Sequence, residues 1–195
     1  MTQDPNDATP TARSQPAAQP PRRTVLVGAA AALAPVAIAA PPSLADHPLW
    51  NKPAPPLAGV TVQGAQIDIA RLRGKVVVIE FWGVWCPDCR NDAQHTAALA
   101  KALASRSDTA FLTVHRRERF NRWPTLQAYF DEMQFSFPTL LDADETMSNT
   151  WQVKWVPSYY VLDRTLRVAH MRTDLGPLGG DELLAIVDKL RKTRG

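Results

Sequence analysis

The stretch Lys75-Val76-Val77-Val78-Ile79-Glu80-Phe81 is almost continuously apolar and β-branched, and it runs straight into Trp82-Gly83-Val84-Trp85-Cys86-Pro87-Asp88-Cys89-Arg90. An apolar run without alternation marks a strand covered on both faces, which calls for a sheet with helices on each side. After the turn, Ala93, Ala97, Ala100, Leu103 and Ala104 recur at helical spacing, so a helix is expected over residues 89–106, beginning at or near the first cysteine. The chain has two cysteines in 195 residues, and both sit at this strand-to-helix joint. Two cysteines exclude a disulfide-stapled scaffold and a four-cysteine zinc site.

The flanking residues extend the pattern. Residues 57–69 alternate around Gly64 and predict a short hairpin. Residues 110–114 predict a second strand, and Pro124 is placed to open a helix at its first position. Leu126, Tyr129, Phe130 and Met133 then share one helical face. A strand is expected over 137–141 and a short helix over 144–151. Residues 158–162 and 166–171 flank Asp163-Arg164-Thr165 as an antiparallel hairpin. A closing helix over 181–191 turns Leu183, Leu184, Val187 and Leu190 inward, with Asp181 and Glu182 at the end where the helix dipole favours negative charge. The order is that of an α/β fold: a central mixed sheet flanked by helices, with an N-terminal hairpin extension.

The first 45 residues have a different character. Residues 1–21 are rich in Pro, Ala, Gln and Thr and carry no hydrophobic period. Arg22-Arg23 precedes an apolar run over 25–39, and Ser43-Leu44-Ala45 follows as a small-residue cleavage site, with Ala37-Ile38-Ala39 a second candidate. This is the layout of an export signal, and the paired arginines resemble the twin-arginine type. Pro35 interrupts the run, which is shorter than the about 20 residues a membrane span needs, so a cleaved signal is expected rather than an anchor. The expected organisation is therefore a signal over 1–45, an extended proline-rich lead over 46–56 and one domain over 57–195. Removal of the signal leaves no stable membrane span; an uncleaved signal leaves a membrane anchor. The expected location is periplasmic or otherwise extracytoplasmic. A hydrophobic content of 45% and a charged content of 21% exclude a disordered chain, a coiled coil and a multi-span membrane protein. A net charge of +3 is too small an excess to imply a nucleic-acid partner.

Two residues between cysteines on the first turn of a helix bring the sulfurs close enough to bridge. Cys86 projects past the helix end, where unpaired N–H groups suit a thiolate nucleophile, and Cys89 lies in the first turn, more shielded. Cys86 is expected to attack a target disulfide and Cys89 to resolve the mixed disulfide. Half a zinc site would need two further Cys or His, and His47, His95, His115 and His170 form no pair at ligand spacing. A structural disulfide closing so small a loop would stabilise little. No metal and no cofactor beyond the Cys86–Cys89 pair is expected.

Trp-Cys-Pro-x-Cys after a Val-rich strand resembles the thioredoxin fold. The lead-in Gly74-Lys75-Val76-Val77-Val78, the segment Phe137-Pro138-Thr139-Leu140-Leu141-Asp142 and the stretch Trp151-Gln152-Val153-Lys154-Trp155-Val156-Pro157-Ser158 are similar to its exported TlpA/ResA-like branch. The resemblance covers residues 55–192. It implies a thioredoxin-like fold and a thiol-disulfide oxidoreductase, with protein disulfides as substrates and an upstream dithiol donor, membrane-bound, as electron source. It further implies a role in cytochrome c maturation or in keeping metal-site cysteines reduced. Pro157 matches the proline that this fold holds in cis opposite the cysteines, which leaves the Val156 backbone free to pair with a bound substrate strand. Trp85 and Pro87 match the contact surface. Glu80 matches a buried acid behind the second cysteine, whose raised pKa would let it accept the Cys89 proton. The alternative for Glu80 is a carboxylate held by a local basic partner.

The chain departs from the branch's pattern at the Pro87-Asp88 dipeptide, at Arg164-Thr165 where glycine is usual, and at Ser158 in place of threonine. Asp88 places negative charge beside Cys86, which disfavours a reduced thiolate there and predicts a pair that donates electrons, hence a reductase. The other directions open on the same fold are a disulfide oxidase or isomerase. A thiol peroxidase would need a threonine shortly before its cysteine, and Gly83-Val84-Trp85 supplies none. A copper-delivery module would use two cysteines and a histidine, yet residues 151–156 hold no histidine. Finally, His115 with Arg116, Arg117, Arg119 and Arg122 reads either as a basic docking rim or as a solvated loop.

Overall fold

The computed structural model describes residues 47–173 and 176–193. The expected export signal and its cleavage site lie outside them. The elements in chain order are strands β1 (Ala58–Val60) and β2 (Gln66–Asp68), strand β3 (Val76–Trp82), helix α1 (Pro87–Ala104), strand β4 (Thr109–Arg116), helix α2 (Leu126–Met133), strand β5 (Thr139–Asp142), helix α3 (Thr146–Thr150), strands β6 (Ser158–Leu162) and β7 (Val168–Thr173), and helix α4 (Gly176–Lys192). A 3-10 turn at Ile69–Leu72 joins β2 to β3.

The main sheet has the order β5-β4-β3-β6-β7, with β1 and β2 forming a separate two-stranded hairpin. β3 pairs in parallel with β4, and β4 with β5, while β6 and β7 run antiparallel at the other side. This is the mixed α/β sheet with a hairpin extension that the sequence predicts. Every residue of β3 is buried, because β3 is central and covered on both faces. Successive side chains of a strand point to opposite faces. Val76, Val78 and Trp82 therefore pack with Leu99, Leu103, Tyr129 and Phe130 of α1 and α2, and with Leu183 and Val187 of α4. Val77, Ile79 and Phe81 pack on the other face with Leu57, Ile69, Trp151 and Tyr160. Glu80 falls on the face of Val78 and Trp82, the side that carries α1.

Several boundaries differ from the sequence expectation. The lead is not extended over its first residues: His47 to Lys52 form turns, and the backbone then bonds the free edge of β7 through Asn51 N to Val168 O (2.9 Å) and Ala54 N to Leu166 O (2.8 Å). Covering an edge strand removes unpaired N–H and C=O groups from solvent. Helix α1 starts at Pro87, directly after the first cysteine as expected and two residues ahead of the 89–106 span, because proline at N1 lacks only an N–H that has no intrahelical partner. Its buried face consists of Cys89, Asp92, Ala93, Thr96, Leu99, Ala100 and Leu103, whereas Ala104 is exposed. Pro124 precedes α2 rather than opening it: the Thr125 side chain accepts from Ala128 N (3.1 Å) and caps the helix. Helix α4 begins at Gly176, so Asp181 and Glu182 lie beyond its first turn, and Glu182 pairs instead with Arg172 (2.6 Å). In the β6–β7 turn, which carries Arg164-Thr165 where glycine is usual, the residue in the left-handed region is Leu166 (φ 62). Asp163 Oδ1 braces that turn by accepting from the N–H groups of Thr165 and Arg167.

Candidate active site

Cys86 is the N-cap of α1, in extended conformation, and its Sγ accepts from the N–H of Cys89 at 3.4 Å. The same sulfur lies 3.4 Å from the carbonyl oxygen of Val156, to which its thiol donates. The Val156–Pro157 peptide bond is cis, as the resemblance implies. Both thiols are free; Cys86 is 6% exposed and Cys89 1%. Pro87 and Asp88 face solvent at the helix tip, and Val156 is half-buried. Of the two sulfurs, Cys86 is therefore the one nearer to solvent, with an N–H donor already aimed at it. Burial pushes the Cys89 thiol well above its ordinary range, its hydrogen bond with Cys86 adds to this, and the Glu80 carboxyl raises it further.

The turn before Cys86 is held by residues from β4, from α1 and from the loop that precedes α2. Val84 N donates to Nε2 of His115 (2.9 Å), and Val84 O accepts from Arg90 Nη1 (2.8 Å) and Asn121 Nδ2 (3.0 Å). With Nε2 accepting, the proton of His115 belongs on Nδ1, which donates to Arg117 O (3.0 Å). Burial lowers the His115 pKa to about 4, so the ring stays neutral and keeps its acceptor nitrogen at neutral pH. His115 thus belongs to the scaffold of the loop and not to a basic rim. The arginines after it are largely paired: Arg116 and Arg117 with Glu145, and Arg122 with Glu132.

Trp85, expected at the contact surface, is half-buried. Its Nε1 donates to Arg116 O (2.9 Å), and the Arg117 guanidinium lies 5.4 Å from the ring centroid. Gly83 makes this packing possible, since a Cβ there would meet the Trp85 Nε1 at 2.4 Å. The residue left open to solvent is instead Trp155, at 72% exposure, next to Val156.

Glu80 lies within β3 at 1% exposure. Its Oε1 lies 3.0 Å from Tyr159 Oη and 3.4 Å from Thr96 Oγ1, and the two hydroxyls lie 2.9 Å apart; with one proton each, they donate in two of these three contacts at a time. Oε2 is buried without a hydrogen-bond partner among the described residues. Burial raises the Glu80 pKa to about 8, the two hydroxyl hydrogen bonds pull it down, and the buried Asp92 nearby pushes it up. The hydrogen bonds given for Glu80 come from hydroxyls and include no basic side chain. Sequence reasoning did not reach Thr96, Asp92 and Tyr159. The one sign in the chain was Asp92 and Thr96 at helical spacing with the apolar stripe of α1; Tyr159 comes opposite Glu80 only through the β3–β6 register.

A mixed five-stranded sheet, a helix that begins on a Cys-x-x-Cys pair and a facing cis proline together define a thioredoxin-fold dithiol site. The chain belongs to the AhpC/TSA family, whose model matches residues 50–171. Among its relatives, the soluble secreted antigen MPT53 of Mycobacterium tuberculosis is 29% identical over 99 residues, which is 51% of this chain and 54% of the antigen. The thiol-disulfide oxidoreductase ResA of Halalkalibacterium halodurans is 22% identical over 112 residues, 57% of this chain and 61% of that protein. The crystal structure of a thiol:disulfide interchange protein of the thioredoxin family from Chlorobium tepidum superposes with a TM-score of 0.60 at 25% identity, covering 71% of this chain and 95% of that one. The chain thus spans little more than half the length of the curated relatives it matches. The TlpA/ResA-like resemblance and the thioredoxin-like fold both agree with these likenesses.

Proposed function

We propose that the chain is an extracytoplasmic thiol-disulfide oxidoreductase that reduces disulfides in other proteins with the Cys86–Cys89 dithiol. The observation that carries the reading is the Cys86 sulfur at the helix tip, met by the Cys89 N–H and the Val156 carbonyl, with a protonatable carboxyl buried on the same face of β3. The Cys86 thiolate attacks one sulfur of the target disulfide. A Cys86–target disulfide forms and the other target sulfur leaves as a thiolate, which takes up a proton. Cys89 then loses its proton to Glu80 and attacks the Cys86 sulfur. The Cys86–Cys89 disulfide forms, the second target thiol leaves, and two electrons have passed to the target. Glu80 suits the proton step because a carboxyl with a pKa of about 8 is partly ionised at neutral pH and is a far stronger base than an ordinary carboxylate; the buried Cys89 thiol lies higher still, so the transfer runs uphill and is drawn on by the attack of Cys89 on the mixed disulfide. Val156 and Pro157 border the approach to Cys86, with Pro87 on the helix side and Trp85 bracing the loop from behind.

No cofactor takes part beyond the dithiol, and an upstream dithiol donor, membrane-bound, returns the electrons. The export reading rests on Arg22-Arg23 with the apolar run and small-residue site that follow, and is supported by a relative described as secreted. The reductase direction rests on Asp88 beside the nucleophile and on the TlpA/ResA-like resemblance. Incubation with a disulfide-bonded protein tests the roles: Cys89→Ser accumulates a mixed disulfide through Cys86, and Cys86→Ser does not. The reverse pattern overturns the assignment. Equilibration with glutathione tests the direction, since a pair as oxidising as the strong disulfide donors would make the chain an oxidase.

A further inference from the structure

Trp155 stands apart from the molecule's other tryptophans. Trp82 and Trp151 are 3% and 0% exposed, Trp85 and Trp123 pack against the core and Trp50 is half-buried, yet Trp155 is 72% exposed. Its backbone is nonetheless fixed: Trp155 O accepts from Ser158 Oγ (2.7 Å), and the Val156 side chain next to it packs against both faces of the core. The indole is therefore presented by a rigid loop. It is one residue away from the carbonyl that lies 3.4 Å from the Cys86 sulfur. A chain whose disulfide reaches Cys86 must pass within about one residue's length, roughly 3.5 Å, of this loop.

The rest of the rim offers little else to discriminate with. Pro87 and Asp88 are exposed on the helix side, and Lys154 on the Trp155 side. Asp88 and the exposed Arg90 on the helix side offset each other, and Lys154 alone leaves no strong local field to steer a charged partner. What remains is apolar surface, and the indole supplies the largest piece. Aromatic side chains bury much area at low entropic cost, and a stacked or edge-on aromatic pair gains beyond the area itself.

Resting on the proposed reading, we infer that Trp155 is the specificity-determining residue of the site: it selects extended protein segments with a large apolar or aromatic side chain beside the reactive cysteine, and gives small disulfides no such gain. The selection acts on binding and leaves the exchange chemistry to Cys86 and Cys89.

The test uses the full chain and two substrate series. In the first, peptide disulfides differ only in having Phe or Ser next to the cysteine. The unsubstituted chain reduces the Phe peptide with a kcat/KM about tenfold higher, expressed in KM, as expected for one partly buried aromatic contact. Trp155→Ala removes the preference, and Trp155→Phe keeps most of it. In the second, glutathione disulfide, which has no large apolar side chain, is reduced within twofold by all three proteins. Equal reduction of both peptides by the unsubstituted chain, or an equal loss on peptides and glutathione disulfide in Trp155→Ala, overturns the inference. Absence of any disulfide reduction by the unsubstituted chain overturns the oxidoreductase reading itself, and so is distinguishable from failure of the specificity role. Loss of self-association in Trp155→Ala, with the peptide preference intact, would assign the indole to a contact between copies of the chain and likewise overturn it.

Discussion

Glu80 and Asp142 are both shut away from water, at 1% and 2% exposure, and both belong to strands of the same sheet. Their surroundings differ. Asp142 ends β5 against the start of α3, where Oδ1 accepts from Met147 N (2.9 Å) and Oδ2 from Ser148 N (2.8 Å) and Ser148 Oγ (2.6 Å). Both of its oxygens are met by donors, two of them backbone N–H groups at a helix N-terminus that otherwise lack partners. Glu80 has donors on one oxygen only, and those are neutral hydroxyls. A buried carboxyl supplied with donors on both oxygens ties elements together. One with a bare oxygen carries the cost of burial in its charged form, and its proton then leaves near neutral pH. The first arrangement builds the fold, and the second is suited to moving a proton beside Cys89.

The contrast is most exposed to failure at Asp142. Asp142→Ala strands two backbone donors and a hydroxyl, and at about 1–3 kcal/mol for each unpaired buried group a stability loss of about 4 kcal/mol is expected in urea unfolding. Disulfide reduction per folded molecule should not change. Lost turnover with stability intact would erase the distinction between the two carboxyls.

Next in size is Glu80→Gln. Glu80 holds its proton more tightly folded than unfolded, with a pKa of about 8 against an ordinary 4.5. Between those values the folded state binds more protons, so stability falls as pH rises through that window. The glutamine variant lacks this penalty and should be more stable by roughly 3 kcal/mol at pH 7, with no difference below pH 4. With Cys89 present, it should also slow release of the second target thiol from the mixed disulfide by about tenfold or more. Stability that follows the unsubstituted protein at every pH would mean that Glu80 is not penalised by burial.

The smallest effect is expected for Tyr159→Phe, which removes the shorter of the two hydrogen bonds on Glu80 Oε1. Stability should fall by about 1 kcal/mol. Because the tyrosine hydroxyl draws the Glu80 pKa down, its loss should move the pH profile of the resolving step upward. An unshifted profile would make Tyr159 a packing residue only.

The parts of the molecule that follow from neighbouring residues were legible in the chain alone. The β-branched run of β3, the Gly64 hairpin, the cysteine spacing and the apolar faces of α2 and α4 each depend on interactions a few residues apart, and periodicity reports them directly. Helix ends were less legible, because a cap turns on a single hydrogen bond: Thr125 rather than Pro124 starts α2, and Pro87 rather than Cys89 starts α1. The surroundings of Glu80 and Val84 lay beyond local pattern altogether. Tyr159 reaches Glu80 from 79 positions away and Thr96 from 16, while His115 reaches Val84 from 31. Chain spacing names a carboxyl, a histidine and two thiols. Which donors surround each of them, and so which proton moves near neutral pH, depends on strand register and on the face of α1 turned to the sheet, and these exist only once the elements have packed.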